Sequence, residues 1–172
     1  MIDISALSRR YRVRRLDDSD ADSILELCRD NAQYYQYCQA EPSKDQILND
    51  LHITPPGIDP SDKYYVGFYQ ENTLLAVMDL IDGYPAPGTA FIGFFMMRKE
   101  FQGKQAGSAI IQEAAAYLKT IGMTAIQLGI DKGNPQSTHF WKKNGFLVKK
   151  EIDRGSSTVL LAEKPPSLRR LK

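Results

Sequence analysis

Arg98-Lys99-Glu100-Phe101-Gln102-Gly103-Lys104-Gln105-Ala106-Gly107-Ser108 stands between two stretches of different periodicity. Before it, residues 90–97 are apolar on both alternations apart from one Gly, the pattern of a central strand covered on both faces. After it, Ile110, Ala114, Tyr117, Leu118 and Ile121 recur at helical spacing from about Ala106 to Thr120, and Gly122 is placed to end that helix. Ile126, Leu128 and Ile130 then alternate as a second buried strand. Strand, loop, helix, strand is a βαβ unit, so the two strands should be parallel and joined by a right-handed crossover.

Working outward, residues 11–15 read as a short strand, and Asp18-Ser19-Asp20 can cap a helix that carries Ile24, Leu25, Leu27 and Cys28. Ser43 and Gln46 have capping-box spacing at the head of a helix through Ile47, Leu48 and Leu51, which Pro55-Pro56-Gly57 stops. Residues 64–69 and 74–81 form a hairpin around the polar turn at residues 70–72, and residues 83–88, rich in Gly and Pro, are a loop. On the C-terminal side, Asn134 caps a helix with Pro135 in its first turn, ended by Asn144-Gly145. Residues 146–151 and 158–162 close the pattern as an antiparallel pair, and residues 165–172 are expected to be a loosely packed tail. The periodicity describes one mixed α/β domain over residues 1–172, without internal repeat or linker.

The loop of residues 102–108 is where chemistry is expected. Its small residues leave backbone N–H groups unshielded, and the helix start behind it adds partial positive charge, which together suit an anionic phosphate; alone, it can equally be a plain strand-to-helix turn. No Gly stands five residues before Gly103-Lys104, so it is not a P-loop. Gly103 and Gly107 lack the third glycine of a dinucleotide fingerprint, so ATP and NAD are disfavoured.

Element order and two motifs together resemble the GNAT superfamily of acyl-CoA-dependent N-acetyltransferases. Gln102, Gln105 and Gly107 fall on the named positions of Arg/Gln-x-x-Gly-x-Gly/Ala, with Gln105 in place of the usual Gly. Asn134, Ser137, Phe140, Trp141, Gly145 and Phe146 are similar to the family's later Asn-x-x-small helix that ends in Gly-Phe. The resemblance covers roughly residues 11–162. It implies a mixed, mostly antiparallel sheet with one parallel βαβ unit, helices on both faces, and a cleft where the two parallel strands splay.

It further implies acetyl-CoA as acyl donor, with no metal. Gln102, Gly103, Lys104, Gln105, Ala106, Gly107 and Ser108 would hold the pyrophosphate, Met96 and Met97 would pair with the pantetheine arm, Asn134 would reach that arm, and Phe140 and Trp141 would line the thiol end. The reaction implied is attack of a primary amine on the thioester. An alkylammonium has a pKa near 10.4, so it must first lose a proton, and the departing thiolate can then take one up. The family's usual Glu base and Tyr acid fall on Phe94 and Trp141, which can fill neither role. Asp79, Asp82 and His139 are the substitute proton carriers, each with a plain structural alternative, and Tyr34, Tyr35, Tyr37 and Tyr84 are further acids or substrate walls. The rival reading is a non-catalytic acyl-CoA-binding or regulatory module with the same fold.

The acceptor stays open among a peptide N-terminus, a lysine, a polyamine, an amino acid and an antibiotic amine. Composition excludes more than it assigns. With 22 Lys plus Arg against 21 Asp plus Glu in 172 residues, the chain lacks the basic excess of a nucleic-acid binder. Cys28 and Cys38 have no C-x-x-C spacing, and His52 and His139 lie far apart, which argues against zinc. No apolar run approaches the roughly 20 residues of a membrane helix, so a cytoplasmic setting is expected. A homodimer is compatible with the family.

Overall fold

The computed structural model describes residues 1–37 and 41–165. Cys38 and residues 166–172 of the expected tail lie outside the described residues. Seven strands form one mixed sheet: β1 (Arg12–Arg15), β2 (Lys63–Gln70), β3 (Thr73–Asp82), β4 (Thr89–Met97), β5 (Ala125–Asp131), β6 (Leu147–Asp153) and β7 (Thr158–Lys164). Their spatial order is β1-β2-β3-β4-β5-β7-β6, and every neighbouring pair is antiparallel except β4 with β5.

Among the described residues five α-helices accompany it: α1 (Ala21–Arg29), α2 (Ala32–Tyr35), α3 (Lys44–His52), α4 (Ala106–Thr120) and α5 (Pro135–Lys143). Their starts follow the capping residues of the sequence. Ser43 accepts from the Gln46 N–H, Asn134 accepts from the Ser137 N–H, and Asp17 with Asp20 forms a reciprocal box ahead of α1. On one face, Ile110, Ile111, Ala114 and Leu118 of α4, with Trp141 and Phe146, pack on Leu80, Ile92, Leu128 and Ile130. Each fully buried Ile or Leu contributes roughly 1.5–3 kcal/mol. The opposite face carries α1 and α3 through Ile24, Leu27, Ile47 and Leu51, against Tyr65, Val77 and Met96.

The parallel contact of β4 with β5 spans only four positions, from Thr89 opposite Ala125 to Ile92 opposite Leu128. Beyond these, β5 stays with β7 while β4 stays with β3. A β-bulge marks the parting: Ile92 faces Leu80 and Phe94 faces Asp79, so Gly93 is the extra residue. A Cβ built on Gly93 would lie 2.9 Å from Asp79 Oδ2, which is why a residue without a side chain occupies the bulge. The sequence pattern predicted cover on both faces along the whole of β4. Instead Gly93 is exposed and Phe94 and Phe95 are half-buried, because the second half of the strand borders an opening.

Candidate active site

The loop after β4 is held in place by side chains from three elements. Arg98 donates from its backbone N–H to Leu75 O (2.7 Å) and from Nε to Leu74 O (2.8 Å), anchoring the exit from β4 on β3. Gln102 Nε2 donates to Met97 O (3.0 Å) and to Asn31 Oδ1 (2.5 Å), and Asn31 Nδ2 donates in turn to Met97 O (3.0 Å) and Leu27 O (2.9 Å). The Gln102 side chain therefore ties the loop to the ends of β4 and α1.

Gly103 and Gln105 both have positive φ, +74° and +64°. At 105 this is the left-handed conformation for which glycine is the usual residue, so Gln carries strain there of roughly 1–2 kcal/mol. The first bond internal to α4 runs from the Ala109 N–H to Gln105 O (3.0 Å). The N–H groups of Ala106, Gly107 and Ser108 thus have no intrahelical acceptor and give the fifteen-residue helix α4 an anion-binding end. Lys104 lies beside the Phe101 ring, its Nζ 6.0 Å from the centroid.

From this helix start a cleft of about 420 Å³ runs between the second half of β4 and α5. Gly107, Met97 and Phe140 meet on its floor, where a Cβ on Gly107 would touch Met97 Cγ and Phe140 Cε2 at 3.3 Å. The far wall is aromatic: Phe95 stacks on Phe140 at 6.0 Å, and Trp141 packs edge-on against Phe95, Phe140 and Phe146 at 4.9–5.9 Å. Gly103, Gln105, Ser108 and Asn134 also line the cleft, while Ala106 lies buried behind it. The buried Asn134 spends its Oδ1 on capping α5.

The unpaired edge of β4 faces this space. Arg98 N bonds toward β3 and Met97 O accepts donors from outside the sheet, so alternation turns Phe95 and Met97 to the open edge. Of the two methionines expected to pair with a cofactor arm, Met96 turns its backbone to Val77 instead.

The structure separates the proton-carrier candidates. Asp79 lies beside the bulge, but it is not a free base: Lys63 Nζ donates to both of its oxygens, at 2.9 and 2.8 Å, with the ammonium only 4% exposed. Burial pushes the Asp79 carboxyl up and Lys63 pulls it back. Asp82 faces Ala90, in the stretch where β4 and β5 are still joined, and lies 3.7 Å from the N-terminal ammonium. His139 is exposed on α5 and lines the large cleft, on the side of the loop rather than of the bulge. Phe94 stands opposite Asp79 and its ring meets Tyr34, 6.2 Å between centroids.

Asp131 was not named from the spacing, and Tyr34 was named only as one of four tyrosines. Asp131, at the C-terminal end of β5, and Tyr34 of α2 line a small polar cavity of about 40 Å³ with Phe94, Phe95, Ser137 and Trp141, where the strands have parted. A sequence signal existed for Asp131, since ligands gather at the carboxyl ends of parallel strands. Tyr34 arrives from a four-residue helix with no motif. Among the described residues, no group of three or more His, Cys, Asp or Glu is placed to hold a metal ion, and no helix is long and apolar enough to cross a membrane.

These features have counterparts among known proteins. The chain is 21% identical over 159 residues to a spermidine N(1)-acetyltransferase of Thermoplasma acidophilum, spanning 86% of this chain and 94% of that one. In fold it is similar to an acetyltransferase from Thermus thermophilus (TM-score 0.73, 18% identity, 90% of this chain and 96% of that one). It is also similar to the PaiA N-acetyltransferase of Thermoplasma acidophilum in complex with coenzyme A (TM-score 0.65, 21% identity, 90% and 98%). The model of the acetyltransferase (GNAT) family matches residues 24–146, well over half of the chain and the whole of the path from α1 through the split strands to Phe146. With open helix N–H groups, a cleft beside the parted strands and that match, the chain belongs to the GNAT family of acetyl-CoA-dependent N-acetyltransferases.

Proposed function

We propose that the acceptor is a small aliphatic polyamine, presented to the thioester in the narrow cavity beyond the large cleft. The observation that carries this reading is the junction of the two spaces at Phe95, Ser137 and Trp141, with the Asp131 carboxylate among the walls of the smaller one. About 40 Å³ takes the end of an unbranched alkylamine, and a carboxylate favours a cation there. Relatives named for spermidine support the same class.

Acetyl-CoA supplies an activated acyl carbon. In this reading the N–H groups of residues 103–108 hold its phosphates, the backbone of Phe95 and the N–H of Met97 offer the open strand edge to its arm, and Phe140 and Trp141 exclude water at its end. Asp131 receives the ammonium and passes its proton to solvent. Holding amine and acyl carbon together supplies several kcal/mol of the barrier, so a strong base is not required. Asp79, pinned by Lys63 and pressed on Gly93, acts as a positioning residue that holds the bulge open.

The test is thiol release from acetyl-CoA with spermidine, spermine, a monoamine, lysine and a peptide N-terminus as acceptors. Polyamines should give the highest kcat/KM, and Asp131→Asn should lower it by about tenfold or more through KM. Preference for the peptide would overturn the acceptor assignment. Gly107→Glu, which puts a carboxylate at the phosphates, should abolish coenzyme A binding; retained affinity would overturn the placement of the donor.

We further infer that a second copy pairs along the outer edge of β6, where Leu147 and Val148 are 56% and 37% exposed. Antiparallel pairing of that strand with itself sets its basic half, Lys149 and Lys150, against its acidic half, Glu151 and Asp153. Light scattering reads this directly, and a monomer at high concentration would refute it. The free, buried Cys28 thiol fits work in a reducing cytoplasm.

A further inference from the structure

One face of the β5–β7 pair joins the core under α4 through Ile126, Leu128, Ile130 and Ala162. The alternate residues lie on the other face, and the apolar cluster under α1 and α3 stops at β4. Three rows cross this open face. Phe91, Gln127 and Glu163 form the first, Gly129 and Leu161 the second, Asp131 and Val159 the third. Val159 leans over Gly129, whose built Cβ would lie 2.7 Å from Val159 Cγ1. The result is an apolar lane with a carboxylate at each end, and at one end Gly129 and Asp131 are also walls of the small cavity. The two ends are four residues apart on β5, about 13 Å.

The far end of the lane has an unmet acceptor. Gln127 Nε2 donates to Glu163 Oε2 (2.7 Å), while Gln127 Oε1 is buried and accepts nothing among the described residues. Buried polar atoms are nearly always satisfied, so an orphan calls for an explanation. A cation with several N–H donors supplies one. The last torsion of a Gln side chain is soft, so the amide can turn over and present Oε1 where Nε2 stood, as an ammonium takes the bond to the carboxylate. On the outer side of this end, Leu147 rather than a base stands opposite Glu163, and Lys150 is one row further, opposite Leu161.

Resting on the polyamine reading above, we propose that Glu163 and Gln127 bind the distal ammonium of the acceptor and so select its length. The reacting amine sits at Asp131, the alkyl chain lies over Val159 and Leu161, and the far ammonium bridges Glu163 Oε2 and Gln127 Oε1. A chain as long as a triamine spans the two ends; a four-carbon diamine is too short to gain from Glu163. Glu163 is a specificity residue, remote from the acyl carbon, and takes no part in the bond changes.

The test is acetylation, at saturating acetyl-CoA, of α,ω-diaminoalkanes of four, six, eight and ten carbons beside the matching monoamines. In the wild type, KM should fall about tenfold from the shortest diamine to the longer ones, beyond any fall across the monoamines. Glu163→Gln should remove that extra fall, while kcat and the KM of the four-carbon diamine stay within about twofold of wild type. Gln127→Leu deletes the orphan oxygen, so it should keep or raise the melting temperature and still weaken the long diamines, a split that a merely structural residue would not give.

The same length dependence in diamines and monoamines, a Glu163→Gln variant that keeps the extra fall, or Gln127→Leu with wild-type KM for the long diamines would overturn this assignment and leave the polyamine reading standing. Preference for a peptide N-terminus, or turnover of none of the amines, would overturn both.

Discussion

Gln105 shows how a single residue can depart from a pattern and keep its geometry. The backbone at 105 still takes the left-handed conformation that a glycine would take, so the side chain adds strain but leaves the helix N–H groups open. Gln105→Gly should therefore raise stability by up to about 1 kcal/mol, the strain relief less the flexibility Gly adds to the unfolded chain. At roughly 2–4 °C per kcal/mol this is visible in a melting curve, and coenzyme A should bind no more weakly. Gln105→Val, β-branched at the same φ, should do the opposite on both counts. Asp79 and Lys63 make the second argument at this scale. Removing one charge strands the other in the core, so Asp79→Asn should cost about 3–5 kcal/mol, measured by denaturant titration. Replacing both, as Asp79→Leu with Lys63→Met, should recover most of that stability without recovering kcat, because the bulge loses its support.

Among the elements, β4 decides the function. A regular β4 would continue its ladder to β5 and close the cleft; the extra residue at Gly93 sends one strand with β3 and the other with β7. Gly93→Ala places a methyl group 2.9 Å from Asp79 Oδ2, so either the carboxylate leaves Lys63 or the bulge moves. Loss of about 1–3 kcal/mol is expected, with a fall in kcat larger than the fall in coenzyme A affinity, since the α4 end is remote from the bulge along the strand. Equal losses in kcat and affinity would mean that the bulge shapes the whole cleft.

For the whole molecule, coenzyme A couples the two halves of the fold, because its phosphates would sit on α4 and its arm between β4 and α5. At a concentration about 100 times Kd, a ligand of the native state adds about 2.7 kcal/mol, or roughly 5–10 °C in Tm for a chain of this size. Acetyl-CoA and coenzyme A should both give this rise, and ATP and NAD should not. Gly107→Glu, whose Cβ would press on Met97 and Phe140 at 3.3 Å, should melt below the wild type without ligand and show no rise with it.

Much of this was written in the chain. Apolar spacing, caps at Ser43 and Asn134 and the turn at Gly122 are local properties, set within a few residues by backbone sterics and hydrogen bonding, and they determined the elements and the place of the loop proposed to hold the phosphates. The order of those elements with the two motifs determined the family. What each side chain could do chemically was decided only by tertiary structure, since that depends on neighbours distant in sequence. Asp79 reads as a proton carrier or a carboxylate in need of a partner until β2 brings Lys63 against it, and Asp82 as a proton carrier or a turn residue until the register puts it at the joined end of the strands. Tyr34 reads as one of several tyrosines until the packing of α2 sets it among the walls of the opening. A pattern records which residues are apolar and how often; it does not record which charge lies beside which when the chain has closed.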